Sequence, residues 1–306
     1  MTDIQAPLHG IWPALLTPLT DTLAIDHARF ARHARGLLDA GCVGVTPFGT
    51  TGEGPSFSVA ERRDAVQALV DAGVPGARIL VSTSAAALPD VVELTRHALA
   101  LGAHGCLMLP PFFHKGVSDD GIVDAYRWVI DRVADARLRL YLYDIPQVSA
   151  VALSHRAIET LKSLYPRTIV GIKDSGCNRA TSLALAEAFI DRVMVYVGYE
   201  PDLPALADRG STGAVSGIAN VMPRLVSRLV TGRDEAQRER DLQRVRALLD
   251  IFGGYAMTPA FKGIMALLDG DDDWLRMRPP LRALSDGEFA RLTQQMKVFA
   301  IDRARE

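Results

Sequence analysis

From Gly10 onward, short apolar runs alternate with amphipathic stretches, at roughly 25–30 residues per pair. The runs fall at residues 11–19, 42–48, 79–83, 105–109, 140–146, 168–174, 193–198 and 213–218. Strands that alternate with helices imply a parallel sheet with helices covering it. Eight such units close most simply into a (β/α)8 barrel, an α/β fold. An open doubly wound sheet is the competitor, but no Gly-x-Gly-x-x-Gly opens the first helix. The helices are marked by their buried faces: Phe30, Ala34, Leu37 and Leu38; Val66, Leu69 and Val70; Ile122, Tyr126, Val129 and Val133; Ala157, Ile158, Leu161 and Leu164. Ser58 with Glu61, and Ser285 with Glu288, read as capping boxes that open helices.

After Thr231 the pattern is helical only, with no composition break or linker before it. The expectation is a barrel over residues 1–231 and a C-terminal helical extension over 232–306, packed on the barrel as one structural unit. A 48% hydrophobic and 23% charged composition supplies the core that such a unit needs.

The same counts exclude several functions. A net charge of −2 provides no general field for nucleic acid or an anionic membrane. Cys42, Cys106 and Cys177 lie far apart with no Cys-x-x-Cys pair, which argues against a disulfide framework or structural zinc and fits a reducing compartment. The first ten residues carry no basic segment followed by an apolar one, so no secretory signal is read there. No apolar run is long enough to span a bilayer. The expected setting is the cytoplasm. Seven histidines show neither His-x-His nor His-Glu-x-x-His spacing, so no metal is expected.

In a barrel of this kind, catalytic groups project from the carboxyl ends of the strands. The polar residues at those ends are Thr17, Thr50, Thr51, Tyr143, Lys173, Ser175, Glu200 and Asn220. Period-two alternation puts Ile169, Gly171 and Lys173 on one face and Val170 and Ile172 on the other. If the second set packs on the helices, Lys173 points inward beside the small Gly171. Desolvation disfavours a charged ammonium, and a neutral amine is a nucleophile for carbonyl carbon. Tyr143, ending the preceding strand, offers a phenol to move protons. The competing reading is an exposed lysine at a strand end. The turn Gly49-Thr50-Thr51-Gly52 offers backbone N–H groups and two hydroxyls suited to a small carboxylate. It also reads as a plain tight turn, and it lacks the Gly-Lys-Ser/Thr ending of a nucleotide loop. Phe112-Phe113 reads as a loop anchor or a subunit contact.

With Gly49-Thr50-Thr51-Gly52-Glu53, Leu142-Tyr143-Asp144-Ile145-Pro146 and Gly171-Ile172-Lys173-Asp174 in order, the chain resembles the dihydrodipicolinate synthase / N-acetylneuraminate lyase family. The similarity covers essentially the whole chain, including Gly198-Tyr199-Glu200, the segment from Ser216 to Asn220 and the C-terminal helices. The resemblance implies a (β/α)8 barrel in which Lys173 forms a Schiff base with pyruvate or another 2-oxo acid. Tyr143 would shuttle protons, Thr50 would relay to it, and Thr51 with Gly49 would bind the carboxylate. Ser175, Gly198, Glu200, Ser216 and Gly217 would complete the substrate site. No metal or organic cofactor is implied. Homotetramers built as dimers of dimers are common in the family, with the Phe112-Phe113 loop as the candidate contact.

Several positions depart from the family's pattern. Val148 stands where the synthases carry an arginine that holds the carboxylate of aspartate semialdehyde. Losing that charged hydrogen bond costs roughly 1.5–3 kcal/mol. Phe113 stands where they borrow a relay tyrosine from the neighbouring subunit, and Val59 and Phe112 replace polar groups of the lysine-feedback site. Pro201 replaces a second acidic residue of the neuraminate lyases and Gly217 a serine. The expectation is a lyase or aldolase that cleaves or dehydrates a small 2-keto-3-deoxy acid. A dihydrodipicolinate synthase, or a catalytically silent binding barrel, are the alternatives.

Overall fold

The computed structural model describes residues 8–301. The leading residues read above for an export signal, through residue 7, and the last five of the chain lie outside the described residues. Seven parallel strands make one ladder: β1 (Gly10–Pro13), β2 (Leu80–Ser82), β3 (Gly105–Met108), β4 (Leu140–Asp144), β5 (Ile169–Asp174), β6 (Met194–Val197) and β7 (Gly213–Ser216). Their order is β1-β7-β6-β5-β4-β3-β2.

The expected second strand, residues 42–48, is not a regular ladder strand. It contributes two parallel bridges, Thr46 to Ala14 on one side and Val45 to Ile79 on the other, and these close the ring between β1 and β2. The local chemistry accounts for the difference. Pro47 has no N–H to donate, and Phe48 turns into the left-handed region at φ 63°. Gly44 leaves the space that the Trp12 ring fills, 2.0 Å from where a Cβ would stand. The first strand also stops early, because beyond Ala14 the chain leaves the barrel and Leu19 bridges back to Ile25.

Between and after the strands lie α1 (His27–Asp39), α2 (Val59–Asp71), α3 (Leu88–Ala100), α4 (Asp119–Val133), α5 (Pro146–Ser149), α6 (His155–Leu164), α7 (Arg179–Phe189), α8 (Leu203–Ala207) and α9 (Pro223–Thr231). The extension adds α10 (Glu235–Phe252), α11 (Met257–Asp269) and α12 (Asp286–Phe299). Both capping boxes form, Ser58–Glu61 on α2 and Ser285–Glu288 on α12. Leu164 departs from its expected inward face: it ends α6 and is half exposed.

The core has two layers. Trp12, Leu80, Leu107, Tyr141, Tyr143, Tyr196 and Val215 fill the barrel interior. A larger layer joins the outward faces of the strands to the helices, and it includes Leu242, Val245, Phe252, Phe261, Ile264 and Leu292 of the extension. Strand β5 carries an irregularity that decides which side Lys173 takes. Leu140 pairs with Ile169, but the next residue, Tyr141, pairs with Gly171, so Val170 is an extra residue in the strand. The alternation therefore resets there. Ile169 joins the outer layer, contrary to the period-two reading, while Gly171 and Lys173 keep the inward face and Ile172 the outer one.

At the floor of the interior, His104 Nε2 and the Tyr141 hydroxyl share a hydrogen bond of 2.8 Å. Burial, with the Arg139 charge adding to it, pushes the imidazole down to about 4. An unfolded histidine takes its proton near pH 6.5, so between about 6.5 and about 4 the unfolded chain holds a proton that the folded chain does not. Stability from this site is fully present above the upper value and falls as the pH drops, by about 3 kcal/mol in total. His104→Gln, which does not titrate, is expected to narrow the gap between urea midpoints measured at about pH 7 and about pH 4.5. An unchanged gap would contradict this.

Candidate active site

Lys173 is buried, 4% exposed, one residue before the end of β5. The parallel register sets Tyr143 of β4 and Tyr196 of β6 beside it. Residues in register on parallel strands point to the same face, so Lys173 and Tyr143 enter the barrel together. The Lys173 Nζ lies 4.1 Å above the centre of the Tyr143 ring. Gly171, one inward position below, is small for a reason: a Cβ there would come within 2.3 Å of the Tyr141 ring. The floor is thus filled by the Tyr141 ring, while the amine stands over the Tyr143 ring.

The Tyr143 hydroxyl and Thr50 Oγ1 are 3.1 Å apart, close enough to share a proton. Thr50 reaches across because its turn is tightly folded. Glu53 N donates to Thr50 O and Gly54 N to Gly49 O, each at 3.2 Å. Thr17 Oγ1 donates to Gly52 O at 2.8 Å. Gly52 and Gly54 are needed for close approach, since Cβ atoms would lie 2.6 Å from Leu15 O and 2.1 Å from Phe48 O. Thr17, noted as a strand-end hydroxyl, therefore braces the turn.

On the other side, Ser175 N donates to Asp144 O and Gly198 N to Asp174 O. A Cβ on Gly198 would stand 1.9 Å from Ser175 Oγ and 3.0 Å from Lys173 Cε. Gly198→Ala is expected to keep the melting temperature within a few degrees while lowering turnover about tenfold or more, because the lysine and serine must move. Full activity in this variant would contradict that packing. Gly217 brings Thr51 Oγ1 and the Phe261 ring together, each 3.2 Å from where its Cβ would be.

Glu200 is buried, and its Oε1 accepts from Ser216 Oγ at 2.5 Å and from Ile218 N at 3.3 Å. Burial pushes its carboxyl above the usual carboxylate range, opposed by those bonds and by the charge of Lys173. The structure thus holds one carboxylate oxygen in place. All ten residues singled out from the sequence (Lys173, Tyr143, Thr50, Thr51, Gly49, Ser175, Gly198, Glu200, Ser216 and Gly217) lie at strand ends or in the turns that follow them. Asn220 serves structure instead: it accepts from Leu16 N, donates to Ala14 O and pairs with His33. A cavity of about 680 Å3 on the outer wall, lined among others by Arg29, His33 and Trp274, contains none of the ten. Among the described residues, no group of three or more His, Cys, Asp or Glu is arranged to hold a metal.

Sequence reasoning missed two features. Asp144 is a buried carboxyl pushed up to about 6 by burial, although Leu153 N donates to it. Glu53 pairs with Lys262 of α11 at 2.6 Å, both side chains fully buried. Lys262 is the single basic residue of a mostly apolar helix, a signal that periodicity alone passes over. Burial raises the Glu53 carboxyl and lowers the Lys262 ammonium, and their attraction opposes both shifts. Phe113 and Val148 are exposed at this end of the barrel, at 71% and 57%.

A family model described as the dihydrodipicolinate synthetase family matches residues 7–298. An uncharacterized DapA-like lyase of Chloroflexus aurantiacus is 32% identical over 294 residues, which cover 94% of this chain and 96% of the relative. A 4-hydroxy-tetrahydrodipicolinate synthase of Mycolicibacterium paratuberculosis is 30% identical over 310 residues, 98% of each chain. Among solved structures, a dihydrodipicolinate synthase from Agrobacterium tumefaciens superposes with a TM-score of 0.88 at 31% identity, covering 95% of this chain and 99% of that one.

Proposed function

The chain belongs to the dihydrodipicolinate synthetase family and is an enzyme of its lyase and aldolase kind, and from that premise we propose that Lys173 forms a Schiff base with pyruvate or a related 2-oxo acid. The observation that carries this reading is the buried lysine over the Tyr143 ring, with the Tyr143 hydroxyl bonded to Thr50. The amine adds to the C2 carbonyl, and the resulting carbinolamine loses water to give an iminium. The iminium accepts the electron pair released at C3, so cleavage of the C3–C4 bond yields an enamine. Tyr143, left as a phenolate once its proton has gone to the departing carbinolamine hydroxyl, takes the proton from the C4 hydroxyl as that bond breaks and releases the aldehyde, and it then returns the proton to C3. Hydrolysis frees pyruvate and Lys173. Thr51 and the N–H groups of its turn are the donors for the substrate carboxylate.

The substrate is a small 2-keto-3-deoxy acid, cleaved or dehydrated. The absence of an arginine at Val148 supports this over condensation with aspartate semialdehyde, and the Glu200 carboxyl, held by Ser216 and Ile218, is the group for a substrate hydroxyl. The synthase reaction is the second reading, favoured by the name of the Mycolicibacterium relative. The protein works in the cytoplasm as a homo-oligomer, a dimer of dimers, with the exposed Phe113 loop at the contact between paired subunits. A panel of 2-keto-3-deoxy acids, scored for pyruvate release and for loss of water, tests the substrate class beside a coupled assay with pyruvate and aspartate semialdehyde. Turnover confined to the coupled assay would replace the first reading with the second.

A further inference from the structure

Helix α11 is apolar along most of its length, yet Lys262 sits near its centre with no exposure. Its ammonium lies 2.6 Å from Glu53 Oε1 and donates to Arg276 O at 2.9 Å. Beyond Lys262, neither Glu53 carboxylate oxygen has a hydrogen-bond partner among the described residues. A buried ion pair contributes little net stability, because desolving two charges offsets most of their attraction; well-packed apolar residues of similar size do as well or better. What the pair does supply is a fixed distance and direction between α11 and the threonine turn.

That turn transmits position. Glu53 itself sits in the left-handed region, at φ 57°, and its N–H donates to Thr50 O. Moving the Glu53 side chain therefore moves the peptide that carries Thr50, whose hydroxyl meets Tyr143 at 3.1 Å. Phe261, the residue before Lys262, meets Gly217 beside Thr51, and it is itself held edge-on by Phe252 with ring centres 4.6 Å apart. One helix turn of the extension thus bears on both sides of the threonine pair.

We propose that Lys262 and Glu53 are positioning residues for the Thr50–Tyr143 proton relay, so that the C-terminal extension completes the active site as well as covering the barrel. The assignment rests on the Schiff-base reading above. Neither residue touches the reacting atoms; each acts by fixing where the Thr50 hydroxyl stands.

The test compares the full-length wild type with Lys262→Met and with the paired replacement Glu53→Met plus Lys262→Met. Three quantities are read: melting temperature, the pyruvate adduct trapped by borohydride at saturating pyruvate, and exchange of the pyruvate methyl protons in deuterated water. Lys262→Met leaves a lone buried carboxylate and is expected to melt lower, whereas the paired replacement regains the wild-type melting temperature. Both variants are expected to trap the adduct to completion but to exchange protons about tenfold to a hundredfold more slowly, the cost of a displaced relay. A purely structural pair behaves otherwise: the paired replacement would recover exchange together with melting temperature. A paired variant exchanging within about threefold of wild type therefore overturns the proposal. Should it fail to fold, Lys262→Arg, which keeps the charge and alters its reach, carries the same comparison with the same threshold. A wild type that traps no adduct overturns the Schiff-base reading itself, an outcome distinct from a wild type that traps and exchanges normally.

Discussion

Lys173→Ala is expected to lower turnover by roughly ten-thousandfold or more on every substrate the wild type accepts. A covalent nucleophile has no substitute when its bond to substrate is the electron sink for the reaction. Among the described residues, no second amine in the barrel interior could take its place: Lys262, the other buried lysine among them, is engaged with Glu53 and Arg276. The variant is expected to fold, since alanine removes a buried amine and leaves its β5 pairing to Tyr143 and Tyr196 intact. Circular dichroism and kcat, measured on the same preparation, check both halves. Residual turnover within about a hundredfold of wild type would point to a reaction that does not pass through this amine.

Tyr143→Phe is expected to separate adduct formation from proton transfer. The ring remains under Lys173, and only the hydroxyl that bonds Thr50 Oγ1 is lost. Pyruvate should still be trapped on the protein, while methyl-proton exchange and kcat fall by about a hundred- to ten-thousandfold, the usual worth of a positioned general acid or base. Thr50→Val is expected to follow in the same direction with a smaller loss, because it removes the relay partner and keeps the phenol. Equal loss of trapping and exchange in Tyr143→Phe would contradict this division of labour.

Much of this was legible in the residues alone. The alternation of apolar runs with amphipathic stretches determines the barrel, and strand ends determine where polar groups gather. What periodicity could not supply was local. In β5 the inserted Val170 resets the alternation, so Ile169 faces the helices even though it lies an even number of residues from Lys173. The lysine still faces inward because only Gly171 and Ile172 separate it from the irregularity. In residues 42–48 an apolar run was read as a strand, but Pro47 and the left-handed Phe48 leave it two bridges. Glu53 was visible as part of a motif, while its partner lies 209 positions on, and no local rule pairs them. Long-range ion pairs are set by the fold and emerge only with it.

The departures at Val148 and Phe113 gain meaning from their location. Both side chains are exposed at the end of the barrel where the strand-end residues gather. Lys115 ties the two segments together by donating to Phe112 O and to Ser149 O. Substrate discrimination is expected to arise on this rim, and under the proposed reading the amine, phenol and threonine hydroxyl below it would serve whatever 2-oxo acid enters.

The central claim is that Lys173 is the covalent nucleophile. Incubation of the protein with pyruvate and borohydride, followed by intact-mass measurement and peptide mapping, tests it most directly. The account predicts one reduced pyruvate imine per chain, located on Lys173 and absent from Lys173→Ala; an unmodified protein, or an adduct mapped to another lysine, would contradict it.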